Sequence, residues 1–144
     1  IGIAGYPEKH FEAPNMEYDL HFTAEKIKAG ADYIVTQMYF DHKKFSEYVR
    51  KCREMGITVP IVPGIKPLTK KYQLASIPRM FFVNMPDDLV KEAAKATTDL
   101  AMADLGVEWA IMQCKHLIEE KVPCIHFYTM GDVKTISRIL KGIM

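Results

Sequence analysis

The chain has 144 residues, of which 49% are hydrophobic and 26% are charged, and its 19 basic and 18 acidic side chains leave a formal net charge of +1. This length and composition are typical of one domain that buries an apolar core, which excludes a mainly disordered chain. The near-neutral charge argues against a nucleic-acid partner, which needs a clustered excess of lysine and arginine. No apolar run reaches the about 18 residues that cross a bilayer, so we expect no membrane partner.

Cysteine and histidine spacing adds two exclusions. Cys52, Cys114 and Cys124 lie far apart and form no CxxC pair, which favours free thiols and a cytoplasmic location over a disulfide framework. The five histidines show no HxxxH or HExxH spacing, so we expect no metal site. The chain begins with Ile1 inside an apolar run, and we therefore expect the natural protein to start upstream.

Hydrophobic periodicity and turn-forming residues predict strands and helices in alternation. In chain order they are a strand (1–6), a helix (15–29), a strand (33–40), a helix (41–56), a strand (59–65), a helical region after 86–88 that Gly106 interrupts, a strand (124–129) and a final helix (132–144). The strands are rich in β-branched and aromatic residues without clean alternation, which is typical of strands buried on both faces in parallel sheets. Asp41 is the expected N-cap of the second helix.

This alternation predicts right-handed βαβ crossovers and a parallel sheet in one domain, residues 1–144. The first three strands begin at residues 1, 33 and 59, which fits the roughly 31 residues per unit of a (β/α)8 barrel. The longer last interval leaves room for an extra helix. Four strands cannot close a barrel, and the two edge strands of such a sheet would present unpaired N–H and C=O groups that another segment must cover. An upstream half-barrel, a second copy of the chain or an open doubly wound arrangement would each supply this cover.

Ligands of parallel α/β proteins meet the carboxyl ends of the strands. Those ends are residues 6–10, 36–41, 63–67 and 126–131, and together they bring aromatic, amide and imidazole groups to one edge. Tyr6 and His10 either stack on a flat heterocycle or anchor their loop. Gln37 either reads the edge of a pterin, flavin or nicotinamide or bonds a neighbouring strand. Lys66 either binds an anion or is solvated, and His126 is expected to be a hydrogen-bonded core residue.

Five segments, in the same order, resemble methylenetetrahydrofolate reductase. They are AGYPEKHFEA at 4–13, KAGAD at 28–32, TQMYFD at 36–41, IVPGIKP at 61–67 and IHFYT at 125–129. The resemblance implies a (β/α)8 TIM-type barrel, of which this chain is approximately the second half, with four parallel strands. It also implies an FAD-dependent enzyme of one-carbon and methionine metabolism. In that family NADH or NADPH reduces the flavin, which then reduces 5,10-methylenetetrahydrofolate to 5-methyltetrahydrofolate.

The resemblance also implies roles for individual residues. Contacts with FAD are implied at Tyr6, His10, Ala13, Asp19 and Lys26, a contact with folate or nicotinamide at Gln37, and a second folate contact at Gln73. Asp19 and Lys26 are seven residues apart and therefore share one helix face.

Some positions depart from the family pattern. Phe22 and Glu25 stand where some members carry an amide and an arginine that face FAD, so individual cofactor contacts differ here. Asp132 replaces an arginine expected near the acidic tail of folate, and Lys134 is a candidate substitute for that cation.

No catalytic residue is assigned within the chain, because the resemblance implies that the general acid, a glutamate, lies upstream of residue 1. We therefore expect the isolated chain to hold FAD weakly or not at all and to lack reductase activity. The implied partners are folate, the missing N-terminal half-barrel and, as a homo-oligomer, further copies of the protein. No motif separates NADH from NADPH. Two alternatives stay open: a non-catalytic half-barrel scaffold that dimerises edge to edge, and another barrel enzyme with a glycine-rich phosphate loop, supported by Gly131 alone.

Overall fold

Six helices and four strands follow the predicted order in the computed structural model, which describes residues 1–144. The elements are β1 (Gly2–Gly5), α1 (Met16–Lys28), β2 (Tyr33–Met38), α2 (His42–Glu54), β3 (Ile61–Ile65), α3 (Gln73–Phe81), α4 (Asp87–Lys95), α5 (Asp99–Glu119), β4 (His126–Phe127) and α6 (Val133–Ile143). The strands form one sheet in the order β1-β2-β3-β4, and every neighbouring pair is parallel. The predicted parallel α/β fold is therefore confirmed.

The helices cover one face of the sheet and leave the other largely open. In β2, Ile34, Thr36 and Met38 are buried, whereas the intervening Val35 and Gln37 are only partly buried. Consecutive strand residues point to opposite faces, so the second set lies on the less covered face. The expectation that the strands are buried on both faces is wrong for these residues, because the helices supply only one covering layer.

The last strand is shorter than predicted. β4 contains only His126 and Phe127, which are in register with Gly64 and Ile65 of β3. His126 is exposed, and its ring meets that of Tyr128 edge to face with the centroids 4.7 Å apart. The expectation of a core histidine is therefore wrong, because no strand covers the outer side of β4.

Two apolar clusters hold the helices in place. The larger joins β2 and β3 to α1, α2, α5 and α6, and it contains Tyr39 and Phe45, whose rings stack with centroids 5.2 Å apart. The smaller joins α3, α4 and the start of α5 to Phe40 and Leu68, which follow β2 and β3. Burial of each such side chain contributes about 1.5–3 kcal/mol. The smaller cluster thus supports the carboxyl ends of two strands, where ligand binding was predicted.

α5 runs without a break through Gly106, so the predicted interruption there is wrong. The helix keeps a glycine because a Cβ at this position would lie 1.8 Å from the carbonyl oxygen of Leu68. The break falls instead at residues 96–98, where the Thr98 side chain caps α5 by accepting a hydrogen bond from the backbone N–H of Ala101 at 3.1 Å. The sequence predicted room for an extra helix between the third and fourth strands, and helices α3 and α4 lie there.

Polar side chains begin three helices close to the carboxyl edge of the sheet. Asp41 accepts a hydrogen bond from the backbone N–H of Lys43 at 3.0 Å, which confirms the predicted N-cap of α2. Asn15 and Asp132 cap α1 and α6 in the same way. None of the helices combines the length and the apolar character that a membrane crossing requires.

Candidate functional site

Two charged side chains hold the loop after β1 in a fixed shape. Lys9 has a positive φ of 79°, and its ammonium donates hydrogen bonds to the carbonyl oxygens of His10 (2.9 Å) and Ala13 (2.5 Å). Asp19, on α1, accepts a hydrogen bond from the backbone N–H of His10 at 2.9 Å. Asp19 therefore positions the loop independently of any ligand. Lys9 is a structural residue, and the sequence had assigned no such role to it.

This loop and α1 enclose a pocket of about 240 Å³. Its lining includes the five residues expected to contact FAD, which are Tyr6, His10, Ala13, Asp19 and Lys26. The rings of Tyr6 and His10 meet edge to face with centroids 4.6 Å apart. Burial and the nearby Asp19 raise the pKa of Tyr6, so its hydroxyl stays protonated and can donate a hydrogen bond. The structure brings these residues together, while the ligand they contact stays a prediction.

One wall of this pocket is aromatic. Phe22 and Tyr18 form this wall, and Glu12 also lines the pocket; the sequence had assigned no contact to Tyr18 or Glu12. The rings of Tyr18 and Phe22 have centroids 4.9 Å apart, and their spacing of four residues along a predicted helix was the signal that would have found this wall. Glu25 lies outside the lining, and its hydrogen bond with Lys28 at 2.8 Å lowers the pKa of Glu25.

A larger cleft of about 730 Å³ opens among residues that follow β3 and β4, the end of β2, and α3. Both glutamines expected at folate, Gln37 and Gln73, line it. Gly5 of β1 is in register with Thr36 of β2, so Tyr6 and Gln37 lie on neighbouring strand ends at the same edge of the sheet. The pocket and the cleft therefore share the edge where the sequence predicted ligand binding.

Backbone hydrogen bonds fix the orientation of both glutamine side chains. Oε1 of Gln37 accepts from the backbone N–H of Met38 at 3.0 Å, beside the register shift between β2 and β3. Oε1 of Gln73 accepts from the backbone N–H groups of Thr69 (2.7 Å) and Lys70 (2.9 Å). Only the oxygen of an amide accepts such bonds, so both NH₂ groups are left to donate to a ligand. Gln73 also stabilises the turn before α3.

One lysine and one carboxylate line the larger cleft. Lys66 follows β3 directly, and burial lowers the pKa of its ammonium. The Asp132 carboxylate accepts hydrogen bonds from the hydroxyl (2.7 Å) and the backbone N–H (3.0 Å) of Thr135, and these bonds lower the pKa of Asp132. Lys134, the candidate substitute for the cation near the folate tail, does not line the cleft.

Tyr128 lies across the ends of two strands. Its hydroxyl donates a hydrogen bond to the carbonyl oxygen of Thr36 at 2.9 Å. A Cβ on Gly64 would lie 2.6 Å from the Tyr128 ring and 2.3 Å from the same Thr36 oxygen. Gly64 is thus needed for the close approach of β2 and β3, since any side chain at this position would collide with the backbone of Thr36.

Outside these sites, His42 and His116 face each other with ring centroids 4.5 Å apart. Glu120 Oε1 lies 3.7 Å from Nδ1 of His42. The chain contains no group of three or more His, Cys, Asp or Glu side chains arranged to hold a metal ion.

The fold and these sites define a class of protein. A parallel α/β sheet with helices on one face, a second face left open and ligand-sized clefts at its carboxyl edge has the geometry of part of a (β/α)8 barrel. The family model described as "Methylenetetrahydrofolate reductase" matches residues 1–144. The chain belongs to the methylenetetrahydrofolate reductase family.

Curated relatives carry the same family name. The chain is 36% identical over 145 residues to "Probable methylenetetrahydrofolate reductase (NADPH)" of Caenorhabditis elegans. It is 31% identical over 153 residues to "Methylenetetrahydrofolate reductase (NADH) 1" of Arabidopsis thaliana. Each alignment covers 99% of this chain but only 22% and 26% of the respective relatives. The chain therefore spans about a quarter of the length of these curated relatives.

A solved structure shares the fold. It is described as an uncharacterized protein from Clostridium thermocellum that binds two copies of 5-methyl-5,6,7,8-tetrahydrofolic acid. It aligns with a TM-score of 0.61 and 16% sequence identity, over 98% of this chain and 51% of its own. At this identity the likeness shows the fold alone.

Proposed function

We propose that this chain forms the flavin- and folate-binding half of a methylenetetrahydrofolate reductase, which uses NADH or NADPH and FAD to reduce 5,10-methylenetetrahydrofolate to 5-methyltetrahydrofolate. The observation that carries the proposal is the presence of two sites at one sheet edge. Five residues expected at FAD line one of them, and both glutamines expected at folate line the other. Family membership of the whole chain supports the proposal. Three unpaired thiols support the expected cytoplasmic location.

The pocket beside the loop after β1 suits one part of FAD. Its volume of about 240 Å³ is small, since sites that enclose a drug-sized ligand have roughly 300–1,000 Å³. Lys26 supplies a cation for a phosphate, the Tyr6 hydroxyl supplies a hydrogen-bond donor, and the aromatic wall at Phe22 supplies an apolar surface. When bound, FAD carries hydride between the nicotinamide and the folate. The remainder of the cofactor needs a surface that this pocket does not provide.

The larger cleft suits the folate. The free NH₂ groups of Gln37 and Gln73 donate to the acceptor atoms of a pterin ring. Gln37 lies in strand β2, so a hydrogen bond from its side chain orients the pterin ring relative to the sheet. Gln73 stands at the start of α3, so it adds a second donor from another direction.

The two unpaired edges of the sheet and its open face support a further half-barrel that covers them. β1 and β4 each pair on one side only, and unpaired strand edges are normally covered in folded proteins. We propose that polypeptide upstream of Ile1 supplies the remaining strands and the general acid. On this proposal residues 1–144 alone hold FAD weakly and have no reductase activity. In the alternative, a second copy pairs with these edges and the assembly is a non-catalytic scaffold.

The test compares two variants of the complete enzyme that contains these residues. Lys26→Met removes the cation of the smaller pocket, and we expect about a tenfold weaker retention of flavin. Gln37→Leu removes a donor from the larger cleft, and we expect kcat/KM for the folate substrate to fall about tenfold to a hundredfold at unchanged flavin content. Flavin absorbance and NADH- or NADPH-dependent turnover measure the two effects, and each variant is the matched control of the other.

Unchanged flavin content in Lys26→Met, together with unchanged folate kinetics in Gln37→Leu, would contradict the assignment of the two sites. Flavin absorbance and turnover by residues 1–144 alone would contradict the need for a further half-barrel. A stable, colourless dimer of the chain that binds no folate would favour the scaffold alternative.

A further inference from the structure

Lys66 places a cation in the larger cleft without a partner in the chain. It follows β3 directly and lines the cleft together with Gln37 and Gln73. Its side chain is partly buried, and its ammonium makes no hydrogen bond or ion pair with another residue. Removing an ammonium from water without a partner is costly, so a cleft that contains one is suited to an anion.

The one carboxylate in the cleft is already engaged elsewhere. Both oxygens of Asp132 accept hydrogen bonds from Thr135, and in this way Asp132 caps α6. Asp132 makes no hydrogen bond with Lys66. Its negative charge raises the pKa of Lys66 and so partly offsets the lowering that burial causes. The three N–H donors of the Lys66 ammonium therefore remain for a ligand.

We propose that Lys66 binds an anionic oxygen group, a carboxylate or a phosphate, of the molecule that occupies this cleft, and thereby determines which end of that molecule lies next to β3. The free amide groups of Gln37 and Gln73 serve acceptor atoms of the same ligand, and the exposed side chains of Tyr72 and Met130 line the cleft for its uncharged part. The inference deepens the proposed function and rests on it, since folate carries glutamate carboxylates and NADH and NADPH carry phosphates. Lys66 is a specificity-determining residue.

The test uses three variants of the complete enzyme that contains these residues. Lys66→Met removes the charge at similar length, and Lys66→Arg keeps the charge. Lys115→Met removes a charge from the exposed surface of α5, outside the cleft. Steady-state kinetics give KM and kcat for 5,10-methylenetetrahydrofolate, NADH and NADPH. Equilibrium binding compares 5-methyltetrahydrofolate with a methylated tetrahydropterin that lacks the glutamate.

If the anion is the folate carboxylate, we expect Lys66→Met to raise KM for the folate about tenfold or more, with kcat within about twofold and the affinity for the pterin unchanged. If the anion is a phosphate of the dinucleotide, the same rise occurs in KM for NADH or NADPH instead. In both cases Lys66→Arg restores most of the affinity and Lys115→Met behaves like the wild type.

Folate reduction by the wild type, with kinetics of Lys66→Met equal to those of the wild type for every substrate, would overturn the role of Lys66 and leave the proposed function intact. A wild-type enzyme that binds no reduced folate would overturn the proposed function and this inference with it. Thermal melting verifies that each variant is folded. Lys66→Gln provides the same comparison should Lys66→Met be unstable.

Discussion

The surroundings of Gly106 outweigh its poor helix propensity. Glycine inside a helix costs about 1 kcal/mol relative to alanine, which is why the sequence predicts a break there. The structure keeps the helix intact, because the missing side chain lets the carbonyl oxygen of Leu68 come close. A pattern within one segment of sequence cannot reveal a contact with another segment.

We predict that Gly106→Ala destabilises the protein, because the added methyl group would collide with the backbone at Leu68. Overpacking of this kind costs about 1–3 kcal/mol. Gly142→Ala in α6 is the matched control, since its Cβ would meet the flexible side chain of Ile111. Urea denaturation should show a clearly lower free energy of unfolding for the first variant only. Equal free energies for the two variants would mean that the backbone at Leu68 moves freely.

Helix α5 is fastened to the segment between β2 and α2 by two side-chain hydrogen bonds. Gln113 Nε2 donates to the carbonyl oxygen of Tyr39 at 2.9 Å, and Trp109 Nε1 donates to that of Phe40 at 3.0 Å. Gln113 is almost completely buried. The segment that follows Gln37 is therefore held by a helix distant in sequence, which stabilises the glutamine at the cleft.

We predict that Gln113→Leu lowers the free energy of unfolding by about 1–3 kcal/mol, because the buried carbonyl group of Tyr39 loses its hydrogen-bond partner. Met112→Leu, at the exposed neighbouring position, should change the free energy of unfolding by less than about 0.5 kcal/mol. Urea denaturation of both variants measures the difference. Stability of Gln113→Leu equal to that of Met112→Leu would show that the bond to Tyr39 adds nothing.

Hydrophobic periodicity was sufficient to predict the type and order of the main elements but not their ends. Residues 124–129 have the composition of a buried strand, yet only His126–Phe127 forms β4, because Phe127 already pairs with Ile65, where β3 ends. One further backbone hydrogen bond joins the N–H of Tyr128 to the carbonyl oxygen of Ile65 at 2.9 Å. The helix at Gln73–Phe81 was not assigned to particular residues. It contains Pro78, and its exposed apolar residues, such as Met80, obscure an amphipathic pattern.

The whole molecule assembles its sites from segments far apart in the chain, and the sequence predicted only part of each. Tyr6 and Gln37 were found because they lie at the carboxyl ends of predicted strands and within segments that resemble a known family, whereas Asp19 was implied by the resemblance alone. The contributions of Lys9 and Tyr128 depend on bonds to backbone carbonyl groups of other residues. The bond of Tyr128 follows from the approach of two segments in space, whereas those of Lys9 follow from the conformation of its own loop. Neither composition nor spacing records them.

Thiol reactivity tests how the sheet is covered. Cys52 and Cys114 are buried, and burial raises the pKa of both thiols, that of Cys114 to about 11, whereas Cys124 near β4 is exposed. The thiolate is the reactive form, so we predict that iodoacetamide at about pH 8 modifies only Cys124 in the folded chain. Mass spectrometry of the peptides identifies the modified residue. In the complete enzyme, where we propose that another strand covers β4, modification of Cys124 should be slower.

Denaturation provides the control, because all three thiols should then react at similar rates. Burial raises the pKa of Cys114 to about 11 in the folded state, whereas an unfolded thiol has a pKa of about 8.5. The contribution of Cys114 to the free energy of unfolding is therefore complete below about pH 8.5 and is lost as the pH rises towards about 11. Rapid modification of Cys114 at about pH 8 in the folded chain would contradict its burial.

The two unpaired edges of the sheet also bear on biosynthesis. Rows of free amide and carbonyl groups along β1 and β4 invite pairing between different molecules, which leads to aggregation. In the proposed arrangement, however, the first half of the barrel leaves the ribosome earlier and can serve as a template for β1 as soon as that strand emerges. Synthesis from the N-terminus would then let β1 pair with the strands made before it, so that the edge at which isolated chains aggregate instead joins the two halves of the barrel.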